Sequence, residues 1–125
     1  MEKVRAGRNR TIVLEDSERG ILGSRLSRLN GKCSVGEIVG KTINQDLFEV
    51  LDFLPRSFAD LVIVDPPYNL NKDFAGLKFK ESNDSDYADY VRSWLPQVVQ
   101  CLKPNGSIYV CCDWKSSTAI FQVFD

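Results

Sequence analysis

The sequence predicts an α/β fold, a mostly parallel sheet with helices on both faces, and three observations carry that expectation. Leu61-Val62-Ile63-Val64 is an apolar, mostly β-branched run that stops at Asp65-Pro66-Pro67, the pattern of a strand buried on both faces. Ahead of it, Leu47, Val50, Leu51 and Leu54 repeat at helical spacing after a strand-like stretch, Glu37 to Asn44. A crossover of about ten residues fits a compact right-handed βαβ unit. Behind it, an amphipathic helix leads through a turn into another strand, Ser107 to Trp114.

The 125 residues are 43% apolar and 26% charged with a net charge of −1. Those values fit one small soluble domain with a modest core and give no whole-chain electrostatic case for nucleic-acid binding. Lys3, Arg5, Arg8 and Arg10 crowd the start; a flexible, solvated tail explains them more simply than an arm on phosphates. The chain has no histidine, which excludes imidazole acid–base chemistry, histidine metal sites and serine–histidine or cysteine–histidine pairs. Cys33, Cys101, Cys111 and Cys112 lack C-x-x-C spacing, so no metal site is expected and the four read as buried thiols of a reducing compartment. No apolar run approaches the ~20 residues of a membrane-spanning helix, and no signal-peptide pattern opens the chain. A cytoplasmic protein is the expectation.

In chain order, Thr11 to Leu14 reads as a short strand, and Asp16 or Ser17 as the cap of a helix reaching Leu29. Gly36 and Gly40 lack the G-x-G-x-x-G spacing of a nucleotide loop. The 37–44 strand runs into Gln45-Asp46, and Pro55 ends the helix that follows. Asn69 to Asn83 is a polar, irregular loop, long enough at ~15 residues to be functional; its Lys72, Lys78 and Lys80 read as solvated more readily than as DNA contacts. Asp84 or Ser85 caps the next helix, whose core face is Tyr87, Val91, Trp94, Leu95, Val98 and Leu102 and which Pro96 should kink. Lys103-Pro104-Asn105-Gly106 is a turn, and a last helix starts at Ser116 or Ser117.

The chemistry concentrates at Asp65-Pro66-Pro67-Tyr68. Each proline lacks an N–H and pushes the residue before it toward extended geometry. The result is a stiff tip at the carboxyl end of a strand, where open α/β sheets place their ligands. The exocyclic amine of a nucleobase is a poor nucleophile because its lone pair spreads into the ring. Two acceptors, the Asp65 carboxylate and the Pro66 carbonyl, could take both N–H bonds and localise that lone pair. Tyr68 offers a stacking face worth about 1–3 kcal/mol, offsetting part of the cost of swinging a base out of a duplex. The electrophile must come from a cofactor.

Asp65-Pro66-Pro67-Tyr68 resembles the D-P-P-Y signature of S-adenosylmethionine-dependent DNA amino-methyltransferases. Thr42-Ile43-Asn44-Gln45-Asp46-Leu47-Phe48-Glu49-Val50-Leu51, Leu54-Pro55, Asp60-Leu61-Val62 and Leu102-Lys103-Pro104-Asn105-Gly106-Ser107-Ile108-Tyr109-Val110 extend the likeness to the amino-terminal half of the permuted β-class enzymes. The resemblance implies a partial Rossmann-like methyltransferase domain over 42–125, with 1–41 as an N-terminal extension of tail plus helix. It implies that Asp65, Pro66, Pro67 and Tyr68 form the catalytic motif. Asp46 and the Leu47 N–H would meet the adenine of the cofactor, although a helix cap alone also accounts for Asp46. Double-stranded DNA is the implied partner, in a restriction–modification setting, and an initial Asp favours adenine N6 over cytosine N4.

The family's F-x-G-x-G loop, which holds the methionine end of the cofactor, is absent from this sequence. The chain therefore reads as truncated, completed by a missing C-terminal segment or partner chain that carries the loop and the target-recognition region. The competing reading is a non-catalytic remnant or base-binding module.

Overall fold

A computed structural model describes residues 13–74 and 77–124. The elements are α1 (Asp16–Gly23), β1 (Leu26–Ser27), α2 (Val35–Ile38), β2 (Thr42–Ile43) and α3 (Leu47–Val50), the last continued by a 3-10 turn, Leu51–Phe53. They are followed by β3 (Ala59–Val64), β4 (Lys72–Phe74), β5 (Leu77–Phe79), α4 (Asp84–Arg92), α5 (Leu95–Val99), β6 (Leu102–Val110) and α6 (Ser116–Phe124). Strands β1 and β2 pair in parallel, as do β3 and β6, while β4 and β5 form an antiparallel hairpin. The architecture is thus α/β with small parallel sheets and helices. Among the described residues, no helix is long and apolar enough to cross a membrane.

The amino-terminal third departs most from the sequence reading. Thr11 and Ile12 of the expected first strand lie outside the described residues, as does the basic tail, and Val13 and Leu14 are irregular. Helix α1 is capped one residue before the expected Asp16 or Ser17, by a capping box between Glu15 and Glu18. It stops at Gly23 instead of Leu29, because a glycine pair three apart costs backbone entropy and Ser24 Oγ bonds back to the Ile21 carbonyl at 2.8 Å. The expected 37–44 strand is mostly another structure. Ser34 and Glu37 close a capping box that winds Val35–Ile38 into one helical turn. The Ser34 bonds hold the Glu37 carboxyl below its usual range, and Gly40 reverses the chain at φ +72°. Only Thr42–Ile43 remains extended, and it pairs with β1, not with β3, so the expected βαβ unit does not close into one sheet. Gln45 completes this corner by bonding both the Leu29 N–H and, at 2.9 Å, the Leu29 carbonyl.

The carboxyl-terminal part builds the core. Asn83, one residue before the expected caps, accepts from Asp86 N at 2.8 Å and starts α4. The predicted kinked helix is two helices: α4 ends at Arg92, and Pro96 sits in the first turn of α5, where its missing N–H costs nothing. Leu51, Val91, Trp94, Leu95, Val98, Ala119 and Ile120 form the buried cluster, with Val62, Val64, Ile108 and Val110 packed against it. The Lys103–Gly106 turn appears as a bulge inside β6, since the register passes from Ala59↔Leu102 to Leu61↔Ser107. Gly106 is required there: a Cβ would lie 3.0 Å from the Ala59 carbonyl and 3.1 Å from that of Lys103.

Two further expectations are corrected. Among the described residues the β3–β6 pair is covered on one face; Leu61, Ile63 and Tyr109 on the other face are exposed. Helices α4, α5 and α6 all supply the same cluster, which leaves the alternate residues of both strands outside. Of the four free thiols, Cys101 is buried and Cys33 half-buried, but Cys111 and Cys112 are exposed because they lie beyond the end of β6.

Candidate functional site

Strand β3 ends as its sequence dictates. The last rung is the Cys111 N–H on the Val64 carbonyl at 2.7 Å, and the two prolines that follow have no donor to continue the ladder. Asp65 is exposed, Pro66 buried, and Pro67 and Tyr68 half-buried. The Asp65 carboxylate hydrogen-bonds the Tyr68 phenol and raises its pKa, so acid and ring stand together at the tip. A tight turn follows, with the Leu70 N–H on the Tyr68 carbonyl at 2.7 Å.

The tip is held from behind by residues that the motif does not contain. Tyr87 of α4 donates its hydroxyl to the Pro67 carbonyl at 2.9 Å. The Asn69 N–H donates to Ser116 Oγ at 3.0 Å, and Ser116 in turn donates its own N–H to Asp113 Oδ1 at 2.8 Å. These bonds to Ser116 hold the Asp113 carboxyl below its usual range. The Asn69 side chain brackets Ser82, donating to its carbonyl and accepting from its N–H, each at 2.8 Å. Burial pushes the Tyr87 phenol up to about 12. None of the hydrogen bonds among the described residues ends on the Pro66 carbonyl.

A cleft of about 180 Å³ opens beside the tip, walled by Pro67, Tyr68, Phe79, Lys80, Tyr87 and Tyr90. The segment read from sequence as irregular supplies Phe79 and Lys80, because β4 and β5 pair within it, with Asp73 opposite Lys78. Lys78 is exposed on that hairpin.

Asp46 is exposed and caps α3, its Oδ1 accepting from Phe48 N at 2.9 Å. It also lies within electrostatic reach of Tyr90, whose phenol is raised first by burial and then by that carboxylate. Tyr90 therefore joins the two predicted clusters: it walls the cleft with Tyr68 and neighbours Asp46, with Phe48 at 6.3 Å between ring centroids. Leu47 opens α3 beside Asp46. A larger cavity of about 530 Å³, lined by Cys33, Leu51, Arg56, Gln97 and Cys101 among others, holds none of these residues.

Sequence reasoning missed Tyr87, Asn69 and Ser116 as parts of the site. Tyr87 was legible only as a core position, and only its hydroxyl, a polar tip on an otherwise apolar helical face, hinted at a second role.

Strand β3 thus ends in an exposed acid, two prolines and a tyrosine, and of these four Pro67 and Tyr68 line the neighbouring cleft. Residues 59–125, more than half of the chain, match the DNA methylase family of N6 and N4 methyltransferases, and the chain belongs to that family. It is 32% identical over 85 residues to the Type II methyltransferase M.HpaI of Haemophilus parainfluenzae, covering 68% of this chain and 27% of that protein. To the Type II methyltransferase M.BamHI of Bacillus amyloliquefaciens it is 31% identical over 72 residues, 58% of this chain and 17% of the relative. The DNA adenine methyltransferase YhdJ of Escherichia coli K12 is 31% identical over 68 residues, 54% of this chain and 23% of its own length. The chain thus spans roughly a quarter or less of the length of these relatives.

Proposed function

We propose that this chain is the amino-terminal, catalytic-motif portion of an S-adenosylmethionine-dependent DNA adenine-N6 methyltransferase. It works with a further C-terminal segment or a partner chain. In this reading residues 42–125 belong to the catalytic domain and 1–41 extend it. The observation that carries the reading is the pair of acceptors at the tip: an exposed Asp65 carboxylate and, one residue on, a Pro66 carbonyl that no described donor occupies.

The target amine of a base swung out of double-stranded DNA donates its two N–H bonds to these acceptors. Both are fixed before the base arrives, so little reorganisation is left for the reaction. Tyr68 stacks on the base, and Pro67 stiffens the tip. The base enters beside Tyr68, where Phe79 and Lys80 line the cleft. Asp46 and the Leu47 N–H fit the adenine end of the cofactor, since the capping bond of Asp46 uses only Oδ1 and the side chain is exposed. The cofactor, when bound, supplies an electrophilic methyl carbon. Its methionine end has no glycine-rich cradle in this sequence, which supports assigning that part to the completing segment. The adenine choice is supported by the initial Asp65 and by the likeness to an adenine methyltransferase. A restriction–modification role is supported by the Type II relatives.

The test is methyl transfer to duplex DNA by the chain together with its completing segment, followed by nucleoside analysis. N6-methyladenine is expected, and Asp65→Ala should lower kcat by about 10²–10³-fold with thermal stability nearly unchanged. N4-methylcytosine as the product would overturn the adenine assignment. Equal turnover in the variant would remove Asp65 from the mechanism.

A further inference from the structure

We infer that Tyr87 and Ser116 are positioning residues that fix the Asp65–Tyr68 tip against α4 and α6. The inference rests on the proposed role of the tip as an amine-binding site. Neither Pro66 nor Pro67 has an N–H, so the tip offers the rest of the protein only its carbonyls and the N–H groups that follow. Tyr87 takes the Pro67 carbonyl at 2.9 Å, and Ser116 takes the Asn69 N–H at 3.0 Å. The two anchors come from different helices, α4 and α6, and both are shut off from solvent: Tyr87 is 5% exposed and Ser116 1%. A buried hydroxyl is held to its partner because no water can replace it. The tip is thus fixed by the packing of two helices and not by its own backbone alone.

Amide hydrogen exchange on residues 1–125 tests this without any methyl transfer. Tyr87→Phe should speed exchange at Asn69 about tenfold while the amides of Val62 and Val64 stay protected. Unchanged protection at Asn69 overturns the inference. If the variant loosens β3 as well, Ser116→Ala takes its place, read at the Leu70 amide that closes the turn on Tyr68. A tenfold acceleration there, reversed in Ser116→Thr, supports the inference, and no acceleration overturns it. In the completed enzyme both variants should lower kcat about tenfold with KM for DNA unchanged; a raised KM with kcat intact overturns the positioning role. A completed enzyme with no methyl transfer at all would sink the proposed function and leave the exchange result standing.

Discussion

On one face of the β3–β6 pair, Val62, Val64, Ile108 and Val110 pack against a cluster that includes Val91, Trp94, Leu95 and Ala119. On the other, Leu61, Ile63 and Tyr109 stand 50%, 68% and 65% exposed. The ladder is the same for both, and both sets of side chains are apolar. A sheet meant to face water on one side alternates apolar with polar residues; β3 does not from Leu61 to Val64. The strands carry the composition of a sheet covered twice, and the described helices cover it once. The candidate site depends on the covered face alone, since Tyr87 and Ser116 hold the tip from α4 and α6.

The sharpest way to break that contrast is at its buried centre. Trp94 is 1% exposed, and among the described residues its Nε1 has no hydrogen-bond partner. Trp94→Ala removes a large side chain from a packed cluster and should cost about 3–5 kcal/mol, read as a lower midpoint in urea. That loss is a large part of the stability of a small domain. A cost below about 1 kcal/mol would mean that the covered face is not where the fold is held.

A middle-sized effect comes from pH. Burial raises Tyr87 from 10.0 to about 12, so the folded state favours the neutral phenol over the phenolate. The unfolded chain binds fewer protons than the folded one between those values, and stability falls with rising pH in that window. The contribution is complete below pH 10 and lost as pH approaches about 12. Tyr90 and Cys101, both raised by burial, act in the same direction. Thermal melts from pH 9 to 12 should show the decline in the wild type and a shallower one in Tyr87→Phe. Parallel curves would take Tyr87 out of the alkaline transition.

How much of this the sequence makes legible differs along the chain for physical reasons. The helical face of 84–99 is legible, because Tyr87, Val91, Trp94, Leu95 and Val98 repeat at helical spacing and are buried, whereas the break ahead of Pro96 and the start of β6 at Leu102 are not. Asp65–Tyr68 fell at a strand end because prolines leave few alternatives. Residues 13–46 were read less well. Their elements are short, bury no side chain and are set by single caps and turns, such as Ser34–Glu37 and Gly40, which periodicity does not register. The 69–83 segment hid a hairpin because its pairing, Lys72↔Phe79 and Phe74↔Leu77, leaves no long alternation to count. The anchors Tyr87 and Ser116 were invisible as site residues, since contacts across 20 and 47 positions belong to the tertiary fold.

The smallest effect is also the one that tests the open face directly. Ile63 projects from near the carboxyl end of β3, paired with Tyr109 of β6, and most of its side chain is already in water. Replacing it with Ser gives up little burial, and a strand position loses some β-propensity, so the expected cost in this chain is about 0.5 kcal/mol. Val62→Ser, one residue away on the covered face, places a hydroxyl against the apolar cluster and should cost several times more. The neighbouring pair uses the same strand, the same ladder and the same new side chain, so the difference between them isolates the face. If both cost the same 2 kcal/mol or more, then Ile63 is covered in solution and the contrast between the two faces fails. If adding the proposed completing segment raises the cost of Ile63→Ser alone, that segment lies on the open face.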